Sequence, residues 1–111
     1  MEGMEAVAFQ IISNVGTAKS LIMEALYEAR EGRYESAEKK LKESRTHMLE
    51  GHHAHAGLIQ QEASGQKVEI SLLLMHAEDQ MMSAETISDL VAEMIRMYRE
   101  MRQNKNGGVS F

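Results

Sequence analysis

None of the 111 residues is proline, and the glycines that punctuate the chain fall mainly at Gly32, Gly65, Gly107 and Gly108. Without proline, nothing forces a break in an apolar pattern of helical period. The chain therefore divides into three long helices. The first spans about 4–31, where Ala8, Ile11, Val15, Ala18, Ile22, Ala25 and Ala29 recur at alternating steps of three and four residues. That is the seam of a helix packed at a shallow angle in a bundle. Ser13-Asn14-Val15-Gly16-Thr17 places weak helix formers within it, marking either a loosened turn or a close helix contact.

Gly32 is the residue most easily placed in the left-handed conformation that ends a helix. The second helix spans about 34–62 with Tyr34, Ala37, Leu41, Met48, Leu58 and Ile59 inward, and with Ser44, His52 and His55 also at seam positions. Ser64 or Gly65 would cap the third helix, about 67–102, which at ~1.5 Å per residue is on the order of 50 Å long. Residues 1–102 form one domain, and 103–111 read as a flexible tail. Short connections make sequential helices antiparallel neighbours, so the fold expected is an all-α antiparallel three-helix bundle.

The third helix carries the densest apolar stretch, Ser71 to Ser83. With each residue advancing ~100°, Leu72, Leu73, Leu74 and Met75 point in four directions, and Met81 and Met82 cover the far side again. A helix apolar all round is buried all round, so a second subunit is expected to cover it. The wheel puts His76 near Ser83, Ile87 and Met94, with Asp79 and Gln80 flanking it in a stripe read as inward through Leu72, Leu73, Leu90 and Val91.

Composition excludes several classes. Twelve Lys and Arg against 17 Asp and Glu leave a net charge of −5, and Lys39-Lys40-Leu41-Lys42 is interleaved with Glu38 and Glu43 as on a solvated face, so no nucleic-acid surface is expected. There is no cysteine, hence no thiolate metal site or cysteine nucleophile. No apolar run approaches the ~18 residues of a membrane span, the first residues lack a basic signal region, and a cytoplasmic protein is expected. No nucleotide loop, nucleophile elbow or HExxH pair is present. What remains for His76 is acid–base work or use of the imidazole as a nucleophile, which can accept a phosphoryl group on nitrogen. Two alternatives stand beside it: a non-catalytic helical interaction module, and a metal site built on His52 and His55, which share a face at i and i+3.

Specific motifs narrow this. Ala18-Lys19-Ser20-Leu21, Glu24-Ala25-Leu26, Glu31-Gly32-Arg33-Tyr34-Glu35, Leu58-Ile59-Gln60 and above all Lys67-Val68-Glu69-Ile70-Ser71-Leu72-Leu73-Leu74-Met75-His76-Ala77-Glu78-Asp79 resemble the enzyme IIA component of the lactose/N,N'-diacetylchitobiose (cellobiose) class of the bacterial phosphoenolpyruvate-dependent sugar phosphotransferase system. The resemblance implies a homotrimer, a nine-helix bundle. His76 would take a phosphoryl group from phospho-HPr and pass it to a cysteine of the IIB component, for uptake through the membrane component IIC of a β-linked disaccharide such as lactose, cellobiose or diacetylchitobiose. Gln80 and His52 would support His76. Asp79 would meet its two copies on the three-fold axis, where a divalent cation, magnesium by its preference for oxygen ligands, would bind. The chain departs from the family's usual His-Ala-Gln-Asp-His at Glu78 and Gln80, and Arg33 replaces a capping aspartate.

Overall fold

The computed structural model describes residues 3–106: α1 (Gly3–Arg30), α2 (Tyr34–Ala63) and α3 (Leu72–Asn106), with no strand among them. The bundle measures 63 × 22 × 20 Å with a radius of gyration of 18.0 Å, well above the ~13 Å of a compact domain of about 100 residues. Such a rod cannot bury all sides of its helices. α1 packs along both α2 and α3, whereas α2 and α3 approach each other at few places.

The seam of α1 comprises the seven residues that periodicity selects, each at most 1% exposed. Its alanines let the partners come close. Gly51 of α2 sits where a Cβ would lie 3.2 Å from Val15 Cγ2, so the weak helix formers around Val15 mark a close contact. The helix does not loosen there: Thr17 Oγ1 and Asn14 Nδ2 donate to the carbonyls of Ser13 and Gln10, four residues back. Against the expectation that no stretch approaches a membrane span, α1 contains an 18-residue window apolar enough for one by composition and length. Its buried seam, 28% of that window, packs on α2 and α3 as in the central helix of a bundle.

α1 ends in a Schellman motif: Gly32 at φ +83° donates to Ala29 O and Arg33 N–H donates to Glu28 O. The Arg33 side chain bonds Glu28 and does not cap α2. α2 ends the same way, with Gly65 at φ +92° and Gln66 N–H donating to Gln61 O.

α3 begins at Leu72, five residues later than expected. Residues 67–71 are not helical, and the cap is Ser71, whose Oγ accepts the Leu74 N–H at 3.1 Å; neither Ser64 nor Gly65 serves. A hydroxyl placed three residues before an amide relieves one of the otherwise unpaired N–H groups of the first turn. At the other end Gln103 to Asn106 continue the helix, and the remainder of the expected tail lies outside the described residues.

The inward face of α3 differs from the expected one. Leu74, Ala77, Met81, Ala84, Val91 and Ile95 are buried, while Leu72 is 84% and Leu90 54% exposed. Both sides of α3 are apolar, and α1 selects the side whose alanines permit close approach. Ile59, also expected inward, is exposed.

Candidate functional site

Ser71 starts α3, and His76 follows one turn inside it, with Asp79 and Gln80 one turn further on. Because α1 takes the opposite face, the His76 imidazole and the Asp79 carboxylate are exposed and Gln80 is half-buried. This corrects the expectation that they point into the chain's own core. They belong to an outer stripe with Leu72, Leu90, Met94, Met97 and Met101, all exposed. The free N–H groups and dipole of the first turn favour negative charge nearby. An accessible imidazole beside that helix end can attack an incoming electrophile and hold the anionic product.

His52 and His55 are not on the seam. His52 Nε2 lies 2.9 Å from Glu85 Oε1, and His55 Nε2 lies 2.8 Å from Glu78 Oε1. Each imidazole is held by its own carboxylate on α3, and among the described residues no group of three His, Cys, Asp or Glu is placed to hold a metal. The alternative of a metal site on these two histidines therefore loses its geometric basis. Glu85, the partner of His52, is nine residues from His76, two and a half turns, which puts it on the opposite side of α3. Within one chain His52 does not stand beside His76. A third imidazole, His47, pairs through Nδ1 with Asn14 Oδ1 at 3.2 Å.

The two His–Glu bridges were missed from sequence. Their spacing offered a signal: His52 and His55 lie three apart on α2, and Glu78 and Glu85 a heptad apart on α3. Only the packing shows that these faces meet. A cleft of 510 Å³ opens beside them between α2 and α3, lined by Arg45, Met48, Leu49, His52, Glu85, Ser88 and Asp89.

Comparison with known proteins then bears on the fold and the family. Residues 6–99 match the family described as PTS system, Lactose/Cellobiose specific IIA subunit. The chain belongs to this family. It is similar to the lichenan-specific phosphotransferase enzyme IIA component of Bacillus subtilis, 39% identical over 108 residues, covering 97% of this chain and 98% of that one. It is 32% identical over 101 residues to the N,N'-diacetylchitobiose-specific EIIA component of Escherichia coli K12, covering 91% and 87%. The crystal structure of the cellobiose-specific enzyme IIA from Bacillus anthracis superposes with a TM-score of 0.87 at 40% identity, covering 92% of this chain and 94% of that one. This IIA family member is thus an all-helical component of the sugar phosphotransferase system, and family membership supports a phosphocarrier role.

Proposed function

We propose that His76 is the phosphoacceptor of a cytoplasmic phosphocarrier. A nitrogen of its neutral imidazole attacks the phosphorus of phospho-HPr; a new P–N bond forms as the P–N bond to the donor histidine breaks. The group then passes to a IIB cysteine, where an S–P bond forms as the bond to His76 breaks, and IIB serves the phosphorylation of a β-linked disaccharide carried by IIC. The observation that carries this reading is the exposed imidazole on the outer stripe of α3, at the start of a helix, in a chain whose family is that of sugar phosphotransferase IIA components. Gln80, one turn beyond His76, is an amide that can donate a hydrogen bond to phosphoryl oxygen without adding charge.

The outer stripe supports assembly into a homotrimer, since Leu72, Leu90 and three methionines on it are left exposed to water and a second subunit would bury them. A trimer axis along this face would gather three Asp79 carboxylates. Like charges so placed repel unless protons or a cation neutralise them. Asp79 would hold the divalent ion, magnesium by the hardness of carboxylate oxygen, and the ion would supply neutralising charge at the axis.

Incubation with phosphoenolpyruvate, enzyme I and HPr tests the assignment. A one-phosphate, acid-labile mass increase that disappears in His76→Ala is expected; uptake of the same phosphate by His76→Ala would refute it.

A further inference from the structure

α2 and α3 approach each other at few places, where Met48 and Leu58 of α2 share a buried cluster with Leu74 and Met81 of α3 and two polar rungs stand beside it. Where α1 grips the first half of α3, it meets Leu74, Ala77, Met81 and Ala84. That contact chooses the face of α3, but with Leu74 as its one large branched side chain beside two alanines and a flexible methionine it restrains fine rotation less than a row of branched residues would. On the α2 side, His55–Glu78 at 2.8 Å and His52–Glu85 at 2.9 Å join the two helices two turns apart. Glu78 is two residues from His76 and lies across the helix from it, so any turn of α3 about its axis swings the two in opposite directions. The facing segment of α1, residues 6–18, contains no titratable side chain. Glu62 of α2 lines the small cavity next to Glu78. His55 Nε2 is the ring nitrogen that faces the Glu78 carboxylate, and an Nε2–H can donate in either charge state of the ring.

We infer that His55 and Glu78 are positioning residues: their bridge sets the rotation of α3 and thereby the direction in which His76 presents its imidazole. At the radius of a helix with its side chains, a 10° rotation moves the ring by about 1 Å. A misplacement of that size can cost on the order of 100-fold in rate. His52–Glu85 repeats the restraint further along the same helix, so loss of one bridge is expected to cost less than that limit.

The inference rests on the phosphocarrier reading, and the two fail separately. Phosphoryl transfer from phospho-HPr is followed by rapid quench for the unsubstituted protein, His55→Ala, Glu78→Leu, their double variant, Glu78→Gln and His55→Gln. About tenfold lower kcat with KM unchanged is expected for His55→Ala and for Glu78→Leu, with the double variant no slower than either. Glu78→Gln keeps an acceptor and His55→Gln keeps a donor, so each is expected within about twofold of the unsubstituted rate. Unchanged kcat in His55→Ala, additive losses in the double variant, or equal loss in Glu78→Gln and Glu78→Leu would overturn the inference. If the unsubstituted protein accepts no phosphoryl group, the phosphocarrier reading falls, and backbone amide NMR still decides the positioning. Signals of residues 75–80 are expected to move together in His55→Ala, and their constancy would overturn it.

Discussion

Gly32→Ala tests the local design of the bundle at the turn where α1 hands over to α2. Two penalties coincide there. Gly32 holds φ +83°, a left-handed conformation that costs a residue bearing a Cβ ~1–2 kcal/mol. A Cβ built at Gly32 would also lie 2.8 Å from Arg102 Cζ and 2.9 Å from Arg102 Nη1. That neighbour is the far end of a flexible side chain, so it can withdraw. Its withdrawal would cost the bond from Arg102 Nη2 to Arg30 O, 3.3 Å long and exposed, a charge-assisted cap on the end of α1. The conformational penalty should therefore dominate, and the expected loss is about 1–2 kcal/mol. Since ~1 kcal/mol shifts Tm by about 4–8 °C in a domain near 100 residues, thermal unfolding at fixed protein concentration should register it clearly. Arg102→Ala alone should cost little, and the double variant should cost nearly the sum. If Arg102→Ala rescued Gly32→Ala, the collision and not the backbone would be the cause. If Gly32→Ala were as stable as the unsubstituted protein, the reasoning about the turn would be wrong.

Two other outcomes follow from the same structure. The Arg33 guanidinium bonded to Glu28 holds that carboxyl below the usual glutamate value, with Ser36 and Lys40 adding to the effect. A depressed carboxyl contributes stability that is present above its unfolded pKa and lost as pH falls through the folded one. The bundle should thus lose stability below about pH 4.3, and Arg33→Ala should flatten that acid limb in denaturant titrations. Asp79→Leu should abolish any stoichiometric divalent cation measured by elemental analysis. Light scattering on the same sample shows whether the proposed trimer needs the ion, and a cation retained at full occupancy would remove Asp79 from the proposed axis site.

The turns at Gly32 and Gly65 and the buried seam of α1 were legible in the sequence because each depends on short-range chemistry: a left-handed glycine, or an apolar residue every three to four positions on a helix with one apolar stripe. The shared side of His76 and Asp79 follows from helical geometry alone. The start of α3 was misread because Lys67 to Ile70 have no strong breaker, and a cap is recognised by a bond from Ser71 Oγ to the Leu74 amide that composition does not reveal.

Sequence by itself determined that this chain forms three helices and that a histidine and an aspartate lie together on the third. Which way they face was decided only in the tertiary structure. α3 is apolar on both sides, so bulk hydrophobicity cannot choose between them. Shape chooses: the alanine-rich seam of α1 accepts Ala77 and Ala84 in close contact and leaves His76 and Asp79 on the outward face.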